Sequence, residues 1–290
     1  MKAAPRVTAV VPTYNAAGFV EQTLAALDAQ TYSNLEILIG DDASTDDTPA
    51  LLRSFAEARP NVRLILREEN VGWVANTNDL MRRRSGELMF FMPHDDLIMP
   101  TYVERLVAAL MANPQAVLAY SDVLAVPVHG TPHEVSLIRL DGETSAIRRA
   151  LVYITRARGW WVPHRGIFRA EAFDRIGGLQ LNRLGEYSAD TAWLLHMALL
   201  GQFVRVPEVL YHKVWKPSSL SLNWDGGRYP GRALQEATYR EVMRSDAPRH
   251  QKLVIGGLIR LLGPVRWVKW RLGQGRTALN TRSEGPSSLD

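Results

Sequence analysis

Five short, mainly apolar runs alternate with amphipathic segments over the first part of the chain, and this alternation constrains the fold most strongly. Runs dominated by apolar residues are typical of strands buried on both faces, and strands that alternate with helices predict a parallel sheet covered on both sides. Short right-handed crossovers make a doubly wound α/β sheet the simplest topology. The predicted strands are residues 7–11, 35–39, 62–66, 88–92 and 116–120.

The pattern is weaker after residue 121 and predicts a mixed region followed by a helical extension. Two strands, forming a hairpin or an addition to the sheet, are expected at residues 123–128 and 135–140, and a last strand is expected at 203–206. Helices are predicted at residues 145–154, 170–175 and 189–200. The expected organisation is therefore residues 1–122 as one half of a domain, 123–225 as its other half, and 226–290 as a helical extension with a disordered tail.

Composition limits the function classes. The 290 residues are 46% hydrophobic and 22% charged, as in a globular protein. With no cysteine, the chain has no disulfide, thiolate metal site or cysteine nucleophile. The start of the sequence lacks the pattern of a signal peptide, and no uncharged apolar run has the length of a membrane span, so a cytoplasmic protein is expected. The net charge of +4 is modest, and we expect no nucleic-acid partner.

Polar residues follow three of the predicted strands at the point where each strand ends. The sequences are Thr13-Tyr14-Asn15, Asp41-Asp42 and His94-Asp95-Asp96. In open α/β sheets ligands bind at the carboxyl ends of the strands, so these side chains are expected along one edge. Adjacent carboxylates repel each other unless a cation or polar ligand neutralises them, and hard oxygen ligands suit Mg²⁺ or Mn²⁺. The alternative for each acidic pair is a turn that caps the next helix.

Two common nucleotide-binding loops are absent from the sequence. The turn after the first predicted strand, residues 12–18, lacks the glycines of a dinucleotide-binding turn, and no Gly-Lys-Ser/Thr phosphate loop occurs. The sheet edge therefore offers carboxylates and hydroxyls, which could bind a base and ribose and hold a metal on a diphosphate.

Four motifs, in order and at strand ends, resemble the nucleotide-sugar half of a family 2 glycosyltransferase. They are Val10-Val11-Pro12-Thr13-Tyr14-Asn15, Asp41-Asp42-Ala43-Ser44-Thr45-Asp46, Asn70-Val71-Gly72 and His94-Asp95-Asp96. The resemblance covers residues 7–122 closely and continues to about residue 221. It implies the GT-A fold, which is a Rossmann-like, mostly parallel sheet with a mixed acceptor-side region. It also implies an inverting enzyme of polysaccharide biosynthesis that moves a sugar from a nucleotide donor, such as a UDP-sugar, to a hydroxyl of a glycan or lipid-linked saccharide.

The resemblance also implies roles for individual residues on the donor side. Tyr14 would stack on the base, Asp42 would accept hydrogen bonds from it, and Asp95 would contact the ribose or the metal. Asp95 and Asp96 would hold the Mn²⁺ or Mg²⁺ that bridges the diphosphate, although Pro93 stands where the family often has a further aspartate. The implied nucleotide-binding residues are Pro12, Thr13, Tyr14, Asp42, Asn70, Gly72 and Asp95.

The family's general base is an aspartate at the start of a helix, and the resemblance places it at Asp190. Ala189 replaces the glutamate that usually precedes the base, and Glu186 is the reserve candidate. The alternative for Asp190 is a carboxylate favoured only by the helix dipole.

The same region contains candidates for acceptor or diphosphate contacts. The acceptor platform would consist of Trp160, Trp161, His164 and Arg165, unless the tryptophan pair is buried in the core. His212 and Lys213 would form a basic loop over the diphosphate, and Ser218 and Ser219 resemble serines that follow it in the family.

The segment 253–273 combines apolar and aromatic residues with arginines and a lysine. This composition suits a membrane surface, where it would bring the enzyme to a lipid-linked acceptor. The alternative is a helix packed on the catalytic domain. For the whole chain, two other functions stay open at this point: a catalytically inactive nucleotide-binding subunit, and a nucleotidyltransferase of related fold.

Overall fold

The strands of the chain form one mixed sheet with helices on both faces. The computed structural model describes residues 4–157, 159–217, 219 and 230–262. Within these residues the strands are β1 (Val7–Thr13), β2 (Leu35–Asp41), β3 (Val62–Leu66), β4 (Leu88–Phe91), β5 (Leu97–Ile98), β6 (Ala116–Val126), β7 (His133–Val135), β8 (Ile167–Arg169) and β9 (Gln202–Val214). Their order is β3-β2-β1-β4-β8-β6-β9-β5, and β7 pairs with β6.

The helices fill the connections between these strands. They are α1 (Val20–Asp28), α2 (Thr48–Glu57), α3 (Trp73–Arg83), α4 (Tyr102–Ala112), α5 (Ala146–Thr155), α6 (Ala170–Ile176), α7 (Ala189–Leu200) and α8 (Pro230–Arg244). Short 3₁₀ turns occur at Ile138–Leu140 and Val162–Arg165, and residues 249–262 include a last helix.

The first half is the parallel, doubly wound sheet that the sequence predicts. Strand β1 lies between β2 and β4, parallel to both, and every residue of β1 and β2 is buried. The register pairs Thr13 with Asp41, so the polar ends of these two strands lie side by side. The confirmed arrangement brings the predicted donor-side motifs to one edge of the sheet.

The second half differs in detail from the prediction. Strand β6 runs unbroken through residues 123–126, which were expected to form a separate strand, and β9 extends well beyond the expected 203–206. These two strands pair in parallel across several register shifts, and this pairing extends both of them. Of the strand expected at 135–140, only Val135 belongs to a strand, while Ile138–Leu140 is a 3₁₀ turn. The two-residue strand β5, which the sequence did not predict, pairs antiparallel with β9.

The C-terminal helices pack against the second half of the sheet domain. Buried His196 of α7 and Glu241 of α8 lie 2.9 Å apart, and Arg244 also pairs with Glu241. Strand β6 crosses the predicted boundary at residue 122, so the two predicted halves share one sheet. The expected disordered tail lies outside the described residues.

Glu36 is a buried carboxylate that ties β2 to its neighbours. It accepts hydrogen bonds from Thr8 Oγ1 at 2.6 Å, from Ser85 N at 3.0 Å and from Arg63 Nη1 at 2.9 Å. Burial alone would raise its pKa, but these donors outweigh burial and lower the pKa to about 2. The charged form is therefore the one that the fold stabilises.

We expect Glu36→Gln to lower the free energy of unfolding by about 2 kcal/mol at pH 7, because buried donors lose a charged acceptor. The folded-state pKa lies below the unfolded value, so this contribution is present above the unfolded pKa of 4.5 and is lost as the pH falls through about 2. Urea unfolding at pH 7 and pH 2 measures the difference. Exposed Glu57→Gln is the control, and an equal loss for both variants would contradict the account.

Candidate active site

The nucleotide side of the site is built where β1, β2 and the turn before α3 meet. Thr13 is buried, and its hydroxyl donates to Asp41 Oδ1 at 3.1 Å, while Asp41 Oδ2 accepts from Ser44 N at 2.9 Å. Asp41 therefore organises its own turn. Tyr14 is 44% exposed, so its ring is free to stack on a base. Pro12 accepts from His94 Nδ1 at 3.0 Å and joins this side to the turn after β4.

Asp42 fixes the turn that contains Asn70 and Gly72. Its two carboxylate oxygens accept from Val71 N and Gly72 N, each at 2.9 Å. Asn70 Oδ1 also accepts from Gly72 N, at 3.1 Å. One hydrogen-bonded edge thus contains four of the predicted nucleotide-binding residues: Thr13, Asp42, Asn70 and Gly72. Asp42 keeps its remaining lone pairs for a base.

Glu186 reaches this edge from a distant part of the chain. Its Oε1 accepts from Val74 N at 2.8 Å in the first turn of α3, so it caps that helix. Gly72 has a φ of +86°, and a Cβ atom there would lie 2.5 Å from Glu186 Oε1, so only glycine fits. Burial raises the pKa of Glu186, and the charge of Asp42 adds to this effect. This position places Glu186 on the donor side, whereas the sequence offered it as a reserve base.

The turn after β4 is held from behind by α1. The hydroxyl of Thr23 donates to the carbonyl oxygens of both His94 and Asp96 at 2.9 Å, and the ring of Phe19 stacks on His94. Asp95 is partly exposed, and its Oδ2 accepts from Ser219 Oγ at 3.2 Å. Asp95 thus points to the same edge as the nucleotide side.

Asp96 is fully buried, and its carboxylate is occupied by partners from strand β9. Oδ2 accepts from Tyr211 OH at 2.8 Å, and Oδ1 accepts from Lys213 Nζ and Val214 N, each at 3.0 Å. Arg165 Nε lies 3.3 Å from Oδ2. This geometry corrects the prediction that Asp96 ligates a metal, because its side chain has no open face and its oxygens are already bonded.

The remaining residues do not fit a metal centre built by the protein. Asp95 is the carboxylate left at this turn, Pro93 contributes no oxygen ligand from its side chain, and Lys213 Nζ lies 3.8 Å from Asp95 Oδ1. Among the described residues no three His, Asp or Glu side chains are grouped as metal ligands. The prediction of Mn²⁺ or Mg²⁺ held by Asp95 and Asp96 thus loses one of its two ligands.

Strand β9 separates His212 from Lys213, which were predicted to form a basic loop together. Alternate side chains of a strand point to opposite faces, and Tyr211 and Lys213 share the face that contacts Asp96. His212 therefore points away from the two aspartates, so Lys213 is the basic residue beside them. Tyr211 and Lys216 were not among the residues predicted from the sequence. Because the last predicted strand ended at residue 206, the spacing of Tyr211 and Lys213 gave no signal that they share a face.

The predicted base, Asp190, lies in the first turn of α7 and is partly exposed. Burial raises its pKa, while the charges of Arg165 and Arg156 oppose that rise. Arg156 also donates to Ser188 Oγ at 3.3 Å, just before the helix. A partly buried carboxylate with a raised pKa in the first turn of a helix has the properties of a general base.

The predicted acceptor platform separates into half-buried and buried members. Trp160 and Trp161 are partly exposed; the guanidinium of Arg156 lies 4.9 Å from the Trp160 ring centre, and Trp161 meets Trp215 edge to face. His164 is instead buried between the rings of Phe91 and Trp193.

The environment of His164 keeps it neutral. Burial, with the charges of Arg165 and Lys213, lowers the pKa of His164 well below its usual value. Its Nδ1 accepts from Arg165 Nη1 at 2.6 Å. The expectation that His164 contacts an acceptor does not hold, because its side chain is part of the core; Arg165, by contrast, connects Asp96 to the surroundings of Asp190.

Comparison with known proteins agrees with this arrangement. The model of the family described as "Glycosyl transferase family 2" matches residues 8–173. An uncharacterized glycosyltransferase of Haemophilus influenzae is 27% identical over 216 residues, which are 72% of this chain and 65% of the relative. The putative teichuronic acid biosynthesis glycosyltransferase TuaG of Bacillus subtilis is 27% identical over 128 residues, 44% of this chain and 50% of that protein. The chain thus spans less than two thirds of these relatives.

Solved structures of low sequence identity share the fold. S. aureus TarS 1-349 in complex with UDP has a TM-score of 0.65 at 17% identity, covering 87% of this chain and 69% of that one. The mannosyltransferase PcManGT of Pyrobaculum calidifontis, in complex with GDP-Man and Mn²⁺, has a TM-score of 0.59 at 20% identity, covering 99% and 77%. The family match extends over more than half of the chain and includes every donor-side motif. The chain therefore belongs to glycosyl transferase family 2 and has the GT-A fold of a glycosyltransferase.

Proposed function

We propose that this glycosyltransferase moves a sugar from a nucleotide-diphosphate donor, in the first place a UDP-sugar, to a hydroxyl group of a glycan or lipid-linked saccharide, with inversion. The observation that carries the proposal is the presence of two carboxylates, Asp95 and Asp190, in different parts of the candidate site. Asp95 lies on the nucleotide edge beside basic Lys213. Asp190 lies near Arg165, and Arg165 in turn contacts Asp96. TarS, solved with UDP, and PcManGT, solved with GDP-Man, support a nucleoside diphosphate as the donor's leaving group.

In the proposed reaction Asp190 takes the proton of the acceptor hydroxyl. The acceptor oxygen then bonds to the anomeric carbon as the bond from that carbon to the diphosphate oxygen breaks. A single displacement inverts the anomeric configuration, and the nucleoside diphosphate leaves with the bonding electron pair. Thr13, Tyr14 and the Asp42 turn would hold the nucleoside, and Trp160 and Trp161 offer aromatic faces to acceptor sugar rings.

A divalent cation that arrived with the donor would have Asp95 as its carboxylate ligand in this chain. Such an ion would supply positive charge to the leaving diphosphate. No step described above depends on it.

Family membership speaks against the nucleotidyltransferase alternative. The inactive nucleotide-binding subunit is the remaining alternative, and turnover decides it. A protein that binds nucleotides but transfers sugar from neither UDP- nor GDP-sugars to any hydroxyl acceptor would support that alternative.

We expect Asp190→Asn to lower kcat by about 10²- to 10⁴-fold while donor binding persists, because the variant keeps the shape of the side chain and loses the base. Donor hydrolysis and transfer assays, with UDP binding measured by calorimetry, check this. Since the pKa of Asp190 is raised, the wild-type rate should fall with decreasing pH from a higher pH than an ordinary aspartate would give, and the variant should lack this limb.

Exposed Asp246→Asn, which removes the same charge at the end of α8, is the matched control. If kcat of Asp190→Asn equals that of the wild type, another group accepts the proton.

We also propose that the C-terminal segment 253–273 lies on a membrane surface and so brings the enzyme to a lipid-linked acceptor. Within the described residues, the last helix exposes Leu253, Val254 and Leu261, while residues 263–273 lie outside the described part of the chain. No helix among the described residues is long and apolar enough to cross a membrane. Exposed leucines next to basic residues favour binding in the interface between headgroups and acyl chains.

Vesicle flotation tests this surface. We expect the protein to float with vesicles that contain anionic lipid, and Leu253→Ser combined with Leu261→Ser to weaken flotation severalfold because apolar contact area is lost. A control that replaces the exposed residue Met111 on α4 with serine should leave flotation unchanged. If the wild type stays in the unbound fraction to the same extent as the double variant, membrane contact through this segment is contradicted.

A further inference from the structure

We propose that Lys213 and Lys216 supply the positive charge that the donor's diphosphate requires, and that donor binding in this chain does not need a divalent metal ion. The proposal rests on the proposed use of a nucleotide-diphosphate donor. It names the groups that would take over the role predicted for Mn²⁺ or Mg²⁺.

The two aspartates at this turn are already bonded to protein groups. Asp96 has no exposed surface and bonds to Tyr211, Lys213 and Val214. Asp95 is the remaining carboxylate, and one of its oxygens accepts from Ser219 Oγ at 3.2 Å. A metal ion at this turn would therefore have a single carboxylate, which already has a hydrogen-bond partner.

The charged side chains around this turn carry a net positive charge. Among the described residues, this part of the site holds three carboxylates, Asp95, Asp96 and Asp190. The four cations around them are Lys213, Lys216, Arg165 and Arg156. These described side chains sum to one positive charge before any ligand binds. At distances of about 4 Å, like charges repel by several kcal/mol where solvent is partly excluded, so a dication is disfavoured there and a dianionic diphosphate is favoured.

Lys216 lies beside the turn that contains Asp95. Its backbone N–H donates to Ser219 Oγ at 2.8 Å, and the same hydroxyl binds Asp95, so Lys216 is tied to the Asp95 turn. Its ammonium lies 3.9 Å from the centre of the Phe19 ring, and that ring stacks on His94. Among the described residues no direct ion pair joins Lys216 to a carboxylate, and Asp95 and Asp96 act on its charge only at longer range. Its charge therefore remains available to an anion.

Taken together, Lys213 and Arg165 offset the charges of Asp95 and Asp96, and Lys216 adds a further positive charge beside the Asp95 turn. An ammonium group acts on a phosphate as a point charge, which is the electrostatic role that a metal ion has elsewhere. When the bond to the sugar breaks, the charge that develops on the diphosphate would be stabilised by these side chains.

Calorimetric titration with UDP, and in parallel with GDP, tests the proposal on the full chain. We expect at least one of the two nucleotides to bind in excess EDTA with a Kd within about twofold of its Kd in Mn²⁺. The loss of one strong contact would change the Kd by about tenfold, so a twofold difference is small. Lys216→Met keeps the aliphatic stem on Phe19. It should weaken the binding of that nucleotide about tenfold or more and leave the binding of the parent nucleoside, uridine or guanosine, unchanged. Arg53→Ala, which removes an exposed positive charge from α2, is the control and should bind as the wild type does.

Binding of a nucleotide only when Mn²⁺ is present would overturn the metal-free proposal while the nucleotide site remained. Equal weakening of nucleotide and nucleoside in Lys216→Met would overturn the role of Lys216, because the loss would then be positional. Failure of both nucleotides to bind, with and without Mn²⁺, would instead remove the proposed function itself.

Discussion

The buried carboxylate of Asp96 is the interaction on which the rest of the site depends. A charge without solvent is stable only when several donors surround it, and here a phenol, an ammonium group and a backbone N–H all come from the last strand, β9. Because Arg165 also lies against Asp96, one carboxylate fixes the end of β4, the end of β9 and the segment before β8. This single junction therefore fixes how these three segments lie relative to one another.

A second junction joins the nucleotide edge to the segment that contains the proposed base. Glu186 lies only four residues before Asp190, yet it caps α3 beside Gly72, and Asp42 accepts hydrogen bonds from the backbone N–H groups of Val71 and Gly72. Movement of the segment that leads into α7 would therefore disturb both the turn at Gly72 and the proposed base, Asp190. Asp96 and Glu186 are thus two carboxylates that connect distant segments of the chain around the candidate site.

The sequence was sufficient to predict the parallel half of the sheet and the edge at which the donor motifs meet. Runs rich in β-branched residues, such as residues 7–11, have few alternatives to a buried strand, and polar residues directly after them mark the ligand edge. It was not sufficient where long-range pairing decides the outcome. Two adjacent aspartates look alike in sequence, and only the antiparallel pairing of β5 with β9 buries Asp96 and leaves Asp95 partly open.

The same limit explains the other differences. His212 and Lys213 are neighbours in sequence, and the register of β9 decides which of them faces the aspartates. His164 and the two tryptophans before it form one aromatic stretch, but the packing of Phe91 and Trp193 encloses only the histidine. Glu186 could not be assigned to the donor side, because its partner Val74 is 112 residues away.

The most direct test of the account compares the two adjacent aspartates by urea unfolding and by UDP titration. If Asp96 is a buried anchor and Asp95 a donor-site carboxylate, Asp96→Asn should lower the free energy of unfolding by about 3 kcal/mol or more, because buried cations lose their partner. Asp95→Asn should unfold nearly as the wild type does and change nucleotide affinity. Unchanged stability in Asp96→Asn, together with a loss of Mn²⁺-dependent UDP binding, would contradict the account and restore Asp96 as a metal ligand.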